Sequence, residues 1–257
     1  MSAREVAQQN GFPYTDSIIM EFIGGSQLHG AKLEGTDDTD YYGVFIPPPD
    51  KVLGLDAYEH FVYTTGDQRG KNKAEDVDVT LYSLTKWARL AAKGNPSVLH
   101  FLFAPTTLST QEWAFVVNDP TPFLAKSHLN AYFGYANAQL NRLYNARGPK
   151  DVSRPFLEDQ FGYDTKYAMH IIRLLDEGRE LMETGQVSLP RPNAEFLRSI
   201  REGKVKLYEI EKIADELQRA ANKAQETSPL PDKVDRKEIS KRLALVYRSF
   251  WDVTELE

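Results

Sequence analysis

The hydrophobic period of this chain changes at Tyr82. Before it, apolar residues come in short runs or alternate with polar ones. Asp76-Val77-Asp78-Val79-Thr80-Leu81-Tyr82 shows the two-residue repeat of a half-buried strand. After it, apolar residues recur every three or four positions over long stretches, the repeat of helices with one apolar face. This order predicts an α+β protein, a small mixed β-sheet core with helices followed by a mostly helical C-terminal part. The expected division is 1–118 for the core and 119–257 for the helical domain.

Within the first part, the apolar run Ser17–Ile23 stops at Gly24-Gly25, as a strand entering a turn does. Tyr41–Ile46 is a second β-rich run, closed by Pro47-Pro48-Pro49. The polar stretch 66–73 between the second and third runs reads as a loop, with Arg69, Lys71 and Lys73 along it. In the second part, Ser83 is suited to cap a helix that ends at Gly94-Asn95-Pro96. Helical patterns follow over Thr121–Ala146, Tyr163–Thr184, Asn193–Glu202, Leu207–Gln225 and Lys233–Val253. No internal repeat is present.

Chemistry concentrates in the strand-rich part. Asp38 and Asp40 stand at i and i+2, which on a strand puts both carboxylates on one face. Two hard oxygen ligands so placed can share a divalent cation, and a third can come from the next alternating strand. Asp78 is embedded in that strand, whereas Asp76, two residues earlier, borders the loop; Asp78 is favoured and Asp76 stays open. On its own, Asp37-Asp38-Thr39-Asp40 also fits a solvated turn. The preceding Gly25-Ser26 shifts the balance, because glycine lets a backbone approach phosphate oxygens closely.

Composition removes several alternatives. The chain has no cysteine, which excludes disulfides, thiolate zinc sites and cysteine nucleophiles. No HExxH zinc motif and no GxxxxGK[ST] loop occurs. A net charge of −6 argues against coating of a polyanion but leaves room for a local basic groove. The polar N-terminus lacks a secretion signal and no apolar run approaches ~20 residues, so a cytoplasmic, non-membrane protein is expected.

The strings Gly25-Ser26-Gln27-Leu28-His29-Gly30 and Thr36-Asp37-Asp38-Thr39-Asp40-Tyr41-Tyr42-Gly43-Val44 resemble the DNA polymerase beta-like nucleotidyltransferase superfamily. The later Lys93-Gly94-Asn95-Pro96, Tyr163-Asp164-Thr165-Lys166-Tyr167-Ala168-Met169-His170 and Leu189-Pro190-Arg191-Pro192 are similar to its bacterial and phage branch associated with RNA repair. The resemblance implies that Gly25 and Ser26 hold nucleotide phosphates and that Asp38, Asp40 and Asp78 hold Mg2+ or Mn2+. It also implies transfer of an NMP, expected to be AMP, from a nucleoside triphosphate to a hydroxyl with loss of pyrophosphate. The acceptor it suggests is an RNA end; a partner protein or small molecule is the rival acceptor, and a non-catalytic nucleotide-binding module the rival class. Two departures stand out. Asp37 replaces a frequent serine and would add negative charge at the metal site, and His100 stands where relatives often carry glutamate.

Lys166, His170 and Arg173 fall at i, i+4 and i+7 on the helix after Tyr163. They are read as nucleotide-binding, closing over the triphosphate, against the alternative of a solvated face. His29 is open between contacting nucleotide and packing on the following strand. Arg191, between two prolines, is expected to be exposed.

Overall fold

The computed structural model describes residues 2–35, 37–65, 75–145 and 154–254. The expected loop with Arg69, Lys71 and Lys73 lies outside the described residues. Five strands form one sheet: β1 (Ile18–Ile23), β2 (Thr39–Phe45), β3 (His60–Thr64), β4 (Val77–Ser83) and the two-residue β5 (Leu108–Ser109). Their order across the sheet is β3-β4-β2-β1-β5. β2 and β4 run parallel, and every other pairing is antiparallel.

The helices within and just after the sheet region are α1 (Ala3–Gln9), α2 (Gly25–Leu28), α3 (Pro49–Leu53), α4 (Leu84–Ala91), α5 (Pro96–Leu99) and α6 (Gln111–Val117). The rest of the chain carries α7 (His128–Asn145), α8 (Pro155–Phe161), α9 (Thr165–Thr184), α10 (Ala194–Arg201), α11 (Leu207–Thr227) and α12 (Arg236–Thr254). The α+β expectation holds. None of the described helices is long and apolar enough to cross a membrane.

Strand alternation decides which face carries chemistry. Phe45, Val79 and Leu81 pack with Phe12, Val6 and Ala7 beneath α1, closing one face of the sheet. Val44, Phe22 and Tyr42 face the other way, into a core with Trp87, Phe101 and the helices as far as Tyr247. Ile18 joins the first core while Ile19 and Met20 join the second, because the β1–β2 register shifts between Ile18 and Met20. The even-numbered members of β2 and β4 therefore point at the helical side. Asp40 and Asp78 are among them.

α9 is the central helix of that side. Asp164 caps it, its carboxylate accepting from the Lys166 and Tyr167 amides at 2.9 and 3.1 Å. Gly185 ends it with a φ of 71°, in the left-handed conformation that glycine adopts without strain. Ser83 caps α4 as expected, accepting from the Lys86 amide at 3.2 Å.

The Thr121–Ala146 pattern is not one helix. It opens with a 3-10 turn over Thr121–Phe123 and becomes α-helical at His128. Thr121 precedes Pro122, which disfavours helical geometry there, and the Lys126 amide donates instead to the Pro231 carbonyl at 2.8 Å. Arg191 corrects another expectation, being buried at 3 % exposure rather than exposed. Its guanidinium pairs with Asp176 at 2.8 Å and with Glu180, both on α9, so the rigid Pro-Arg-Pro segment presents a structural ion pair.

Candidate active site

The eight residues that the sequence assigns to metal and nucleotide, Gly25, Ser26, Asp38, Asp40, Asp78, Lys166, His170 and Arg173, line one cleft of about 330 Å3. One wall comes from the ends of β1, β2 and β4. The other is the face of α9 that carries Lys166, Met169, His170 and Arg173.

β2 and β4 are parallel and in register at Asp40 and Asp78, so these two carboxylates are cross-strand neighbours. Asp38 lies two residues before Asp40, just outside β2. One oxygen from each of Asp38, Asp40 and Asp78 lies within 4.8 Å of the others. Asp78, rather than Asp76, joins this trio. Burial, then the Asp38 and Asp78 charges, raise the Asp40 carboxyl to about 6. Burial likewise raises Asp38, while Lys166 pulls both carboxyls back down. Like charges held this close store repulsion that a divalent cation relieves. Three hard carboxylate donors suit Mg2+ or Mn2+.

The glycine turn is built against this trio. The Gly24 amide donates to the Asp40 carbonyl at 2.8 Å. Gly25 has a φ of 58°, and a Cβ on it would lie 1.8 Å from Asp40 Oδ2. Gly25→Ala must therefore strain the turn and displace the carboxylate; a loss of about 1–3 kcal/mol is expected, read by urea unfolding. The hydroxyl of Ser26 is already engaged, donating to Asp37 Oδ2 at 2.8 Å.

Asp37 does add its charge beside the trio, helping to raise the Asp38 and Asp40 carboxyls, but it is also paired. It is buried at 3 % exposure and takes a forked pair of bonds from Arg201 at 2.5 and 2.6 Å. Burial works against its ionised form, yet the Arg201 and Leu33 donors outweigh it and hold the carboxyl below its ordinary value.

On the opposite wall, burial and the neighbouring Arg173 and Lys166 charges depress His170 well below the ordinary imidazole range, so it is a neutral ring at pH 7. Burial lowers Lys166 as well, with Arg154 and Arg201 adding to the effect. Arg173 is fixed by Glu177, whose carboxylate accepts from its Nη1 at 2.9 and 3.1 Å. The same carboxylate meets His100 Nε2 at 3.1 Å and lies 3.4 Å from His29 Nδ1. His29 thus packs in the inner wall of the cleft, and burial followed by Arg173 holds it neutral.

Sequence reasoning missed Glu177 and Arg201. Glu177 had one local signal, its i+4 spacing from Arg173. Arg201 had none, since its partner Asp37 is 164 residues away.

A family profile described as RlaP, RNA repair pathway DNA polymerase beta family, matches residues 3–245. An uncharacterized 38.9 kDa protein of Enterobacteria phage T4, from the nrdC-mobD intergenic region, is 29% identical over 137 residues, 51% of this chain. The match spans 40% of that relative, so the chain corresponds to less than half of its length. A nucleotidyltransferase-like protein from Exiguobacterium sibiricum aligns over 88% of this chain and 74% of its own. At 12% identity and a TM-score of 0.31, that alignment carries no weight for the fold.

Proposed function

Because the chain belongs to the RNA repair pathway DNA polymerase beta family, we propose that it is a metal-dependent nucleotidyltransferase acting on a hydroxyl acceptor. The observation that carries this reading is the Asp38-Asp40-Asp78 trio facing the basic wall of α9 across one cleft. Mg2+ or Mn2+ held by the three carboxylates would neutralise triphosphate charge and stabilise the attacking and leaving oxygens.

The chain's own groups divide the remaining work. The Gly25-Ser26 backbone meets the phosphates, because the Ser26 hydroxyl is committed to Asp37. Lys166 and Arg173 take the charge of the departing pyrophosphate, and His170 offers a neutral ring nitrogen beside them. The acceptor oxygen forms its bond to the α-phosphorus as the bond to pyrophosphate breaks in line, and Asp78 takes the acceptor's proton. In this proposal the nucleotide transferred is AMP, and the acceptor is an RNA end, the latter in keeping with the family's RNA repair description. Residues 1–118 form the catalytic core in this reading, and 119–257 supply the basic wall.

Incubation with each α-labelled nucleoside triphosphate, Mg2+ and cell lysate tests the proposal. Label in an RNA fraction, removed by ribonuclease and not by protease, is expected. Protease-sensitive label would replace the acceptor, and no transfer from any triphosphate would sink the enzyme reading.

The electrostatics also fix a pH dependence. Asp40 is raised to about 6, so its proton must leave before the trio can hold a cation fully charged. Mg2+ with ATP is expected to raise the melting temperature more at pH 7.5 than at pH 5.5. Equal shifts at both values, measured by differential scanning calorimetry, would contradict the assigned ligands.

A further inference from the structure

The segment from His29 to Asp38 joins the Gly25-Ser26 turn to the acidic trio, and its described residues form neither helix nor strand. Its position therefore depends on contacts with the rest of the molecule, and α10 supplies them. Arg198 Nη2 donates to the Gly30 carbonyl at 2.8 Å, and Arg201 Nη1 donates to the Ala31 carbonyl at 3.0 Å. Gly30 approaches α10 so closely that a Cβ on it would lie 2.9 Å from Ala194 Cβ. The strongest tie is the fork from Arg201 to both oxygens of Asp37. Asp37 Oδ2 also accepts from the Ser26 hydroxyl and, at 2.9 Å, from the Leu33 amide. At its far end, the Arg201 carbonyl accepts from Thr165 Oγ1 at 3.1 Å, in the first turn of α9 beside Lys166.

We propose that Arg201 is a positioning residue that acts through Asp37, locking the phosphate turn and Asp38 in register with the α9 wall. The inference rests on the metal-nucleotide reading of the cleft. Two rival roles fit Arg201 less well. As a direct phosphate ligand it would need a free fork, yet Nη1 and Nη2 are both engaged by Asp37 and Nη1 also by Ala31. As a mere counter-charge to the trio it would not need forked geometry, and a buried bidentate pair is a costly way to place a charge.

The three roles differ in the sign of their mutational effects. Asp37→Asn keeps the shape and removes the anion; Arg201→Gln removes the cation; Arg201→Lys keeps the charge and loses the fork. Binding of Mn2+ in the presence of α,β-methylene ATP, followed by electron paramagnetic resonance, reads the site without needing the acceptor. The lock predicts that all three variants weaken Mn2+ binding in the same direction, on the order of tenfold, since small misplacements of a site are expensive. The Asp37→Asn/Arg201→Gln double variant is then no weaker than the weaker single variant, because one lock is lost only once.

Several outcomes overturn the proposal. Opposite effects of Asp37→Asn and Arg201→Gln would indicate bare charge. Weakening by Arg201 substitutions alone would indicate direct ligand contact. Wild-type affinity throughout would remove any role. If Arg201→Gln does not fold, as judged by circular dichroism, Asp37→Asn and Arg201→Lys decide the question. Failure of the wild-type protein to bind Mn2+ with the analogue counts against the nucleotidyltransferase reading itself, whereas unchanged variants beside a binding wild type count only against the lock.

Discussion

Asp40→Asn is expected to cost turnover roughly 10^3-fold or more while leaving the metal-free protein at least as stable as wild type. The two effects have one cause. Asp40 is buried beside Asp38 and Asp78, and burial first, then those two charges, raise its carboxyl to about 6. A carboxyl whose folded pKa lies above its unfolded value destabilises the fold once it ionises. The penalty is absent below the unfolded value and fully present above pH 6. A shift of about two units bounds it at ~3 kcal/mol. The amide of Asn keeps the shape, removes the charge and relieves both the cost of burying it and the repulsion from its neighbours. The same change removes a ligand, and loss of several kcal/mol of metal-borne charge stabilisation corresponds to about three orders of magnitude in rate. Turnover measured beside a melting curve in EDTA separates the two. A fully active Asp40→Asn enzyme, or an inactive one that melts well below wild type, would refute the assignment.

The trio was legible because its information is local. Asp38 and Asp40 stand two residues apart at the start of one strand, Asp38 just before it, and Asp78 sits in a run whose alternation is visible without any tertiary knowledge. The α9 face was legible for the same reason, since i, i+4 and i+7 spacing places Lys166, His170 and Arg173 together on any helix. What the residues do to one another was not local. His170 looks basic in a sequence, but burial, then Arg173 and Lys166, keep it neutral. Asp37 looks like surplus charge until Arg201 arrives from α10. Arg191 looks exposed between its prolines until α9 presents Asp176 and Glu180 to it.

Some of the fold was written locally and still passed over. Ser2-Ala3-Arg4-Glu5 is a capping box, with Ser2 Oγ accepting from the Glu5 amide and Glu5 returning the bond to the Ser2 amide, and α1 starts there. His60–Thr64 is rich in strand-forming residues but has β4 as its single partner at the sheet edge. The two residues of β5 carry no pattern a period could detect. Their pairing is set by β1, through Met20 and Glu21.

Glu177 is expected to be the costliest single residue to replace outside the acidic trio, although only its i+4 spacing from Arg173 marks it in the sequence. Its carboxylate is fully buried at 0 % exposure and gathers groups from three parts of the chain. Arg173 donates to both oxygens, His100 meets Oε2, and His29 lies against Oε1. Burial by itself would favour the protonated form, but Arg173 and the His100 contact hold Glu177 well below the ordinary carboxylate range. In Glu177→Leu the Arg173 guanidinium stays buried with its partner gone. Breaking such a pair from one side costs about 3–5 kcal/mol. For a chain of this size that lowers the melting temperature by roughly 10 °C. Replacing both partners, as Arg173→Met with Glu177→Met, leaves no orphan charge and is expected to recover most of the loss, since apolar pairs often substitute for buried ion pairs at little cost. Turnover would not recover with it, because the proposed function needs the Arg173 charge facing the triphosphate. Calorimetry and turnover on the wild type, the single and the double variants test both halves together. A Glu177→Leu protein that melts within 2 °C of wild type would show that the pair is dispensable. A double variant that regains full activity would show that Arg173 has no part in the chemistry, and the basic wall of the cleft would then rest on Lys166 alone.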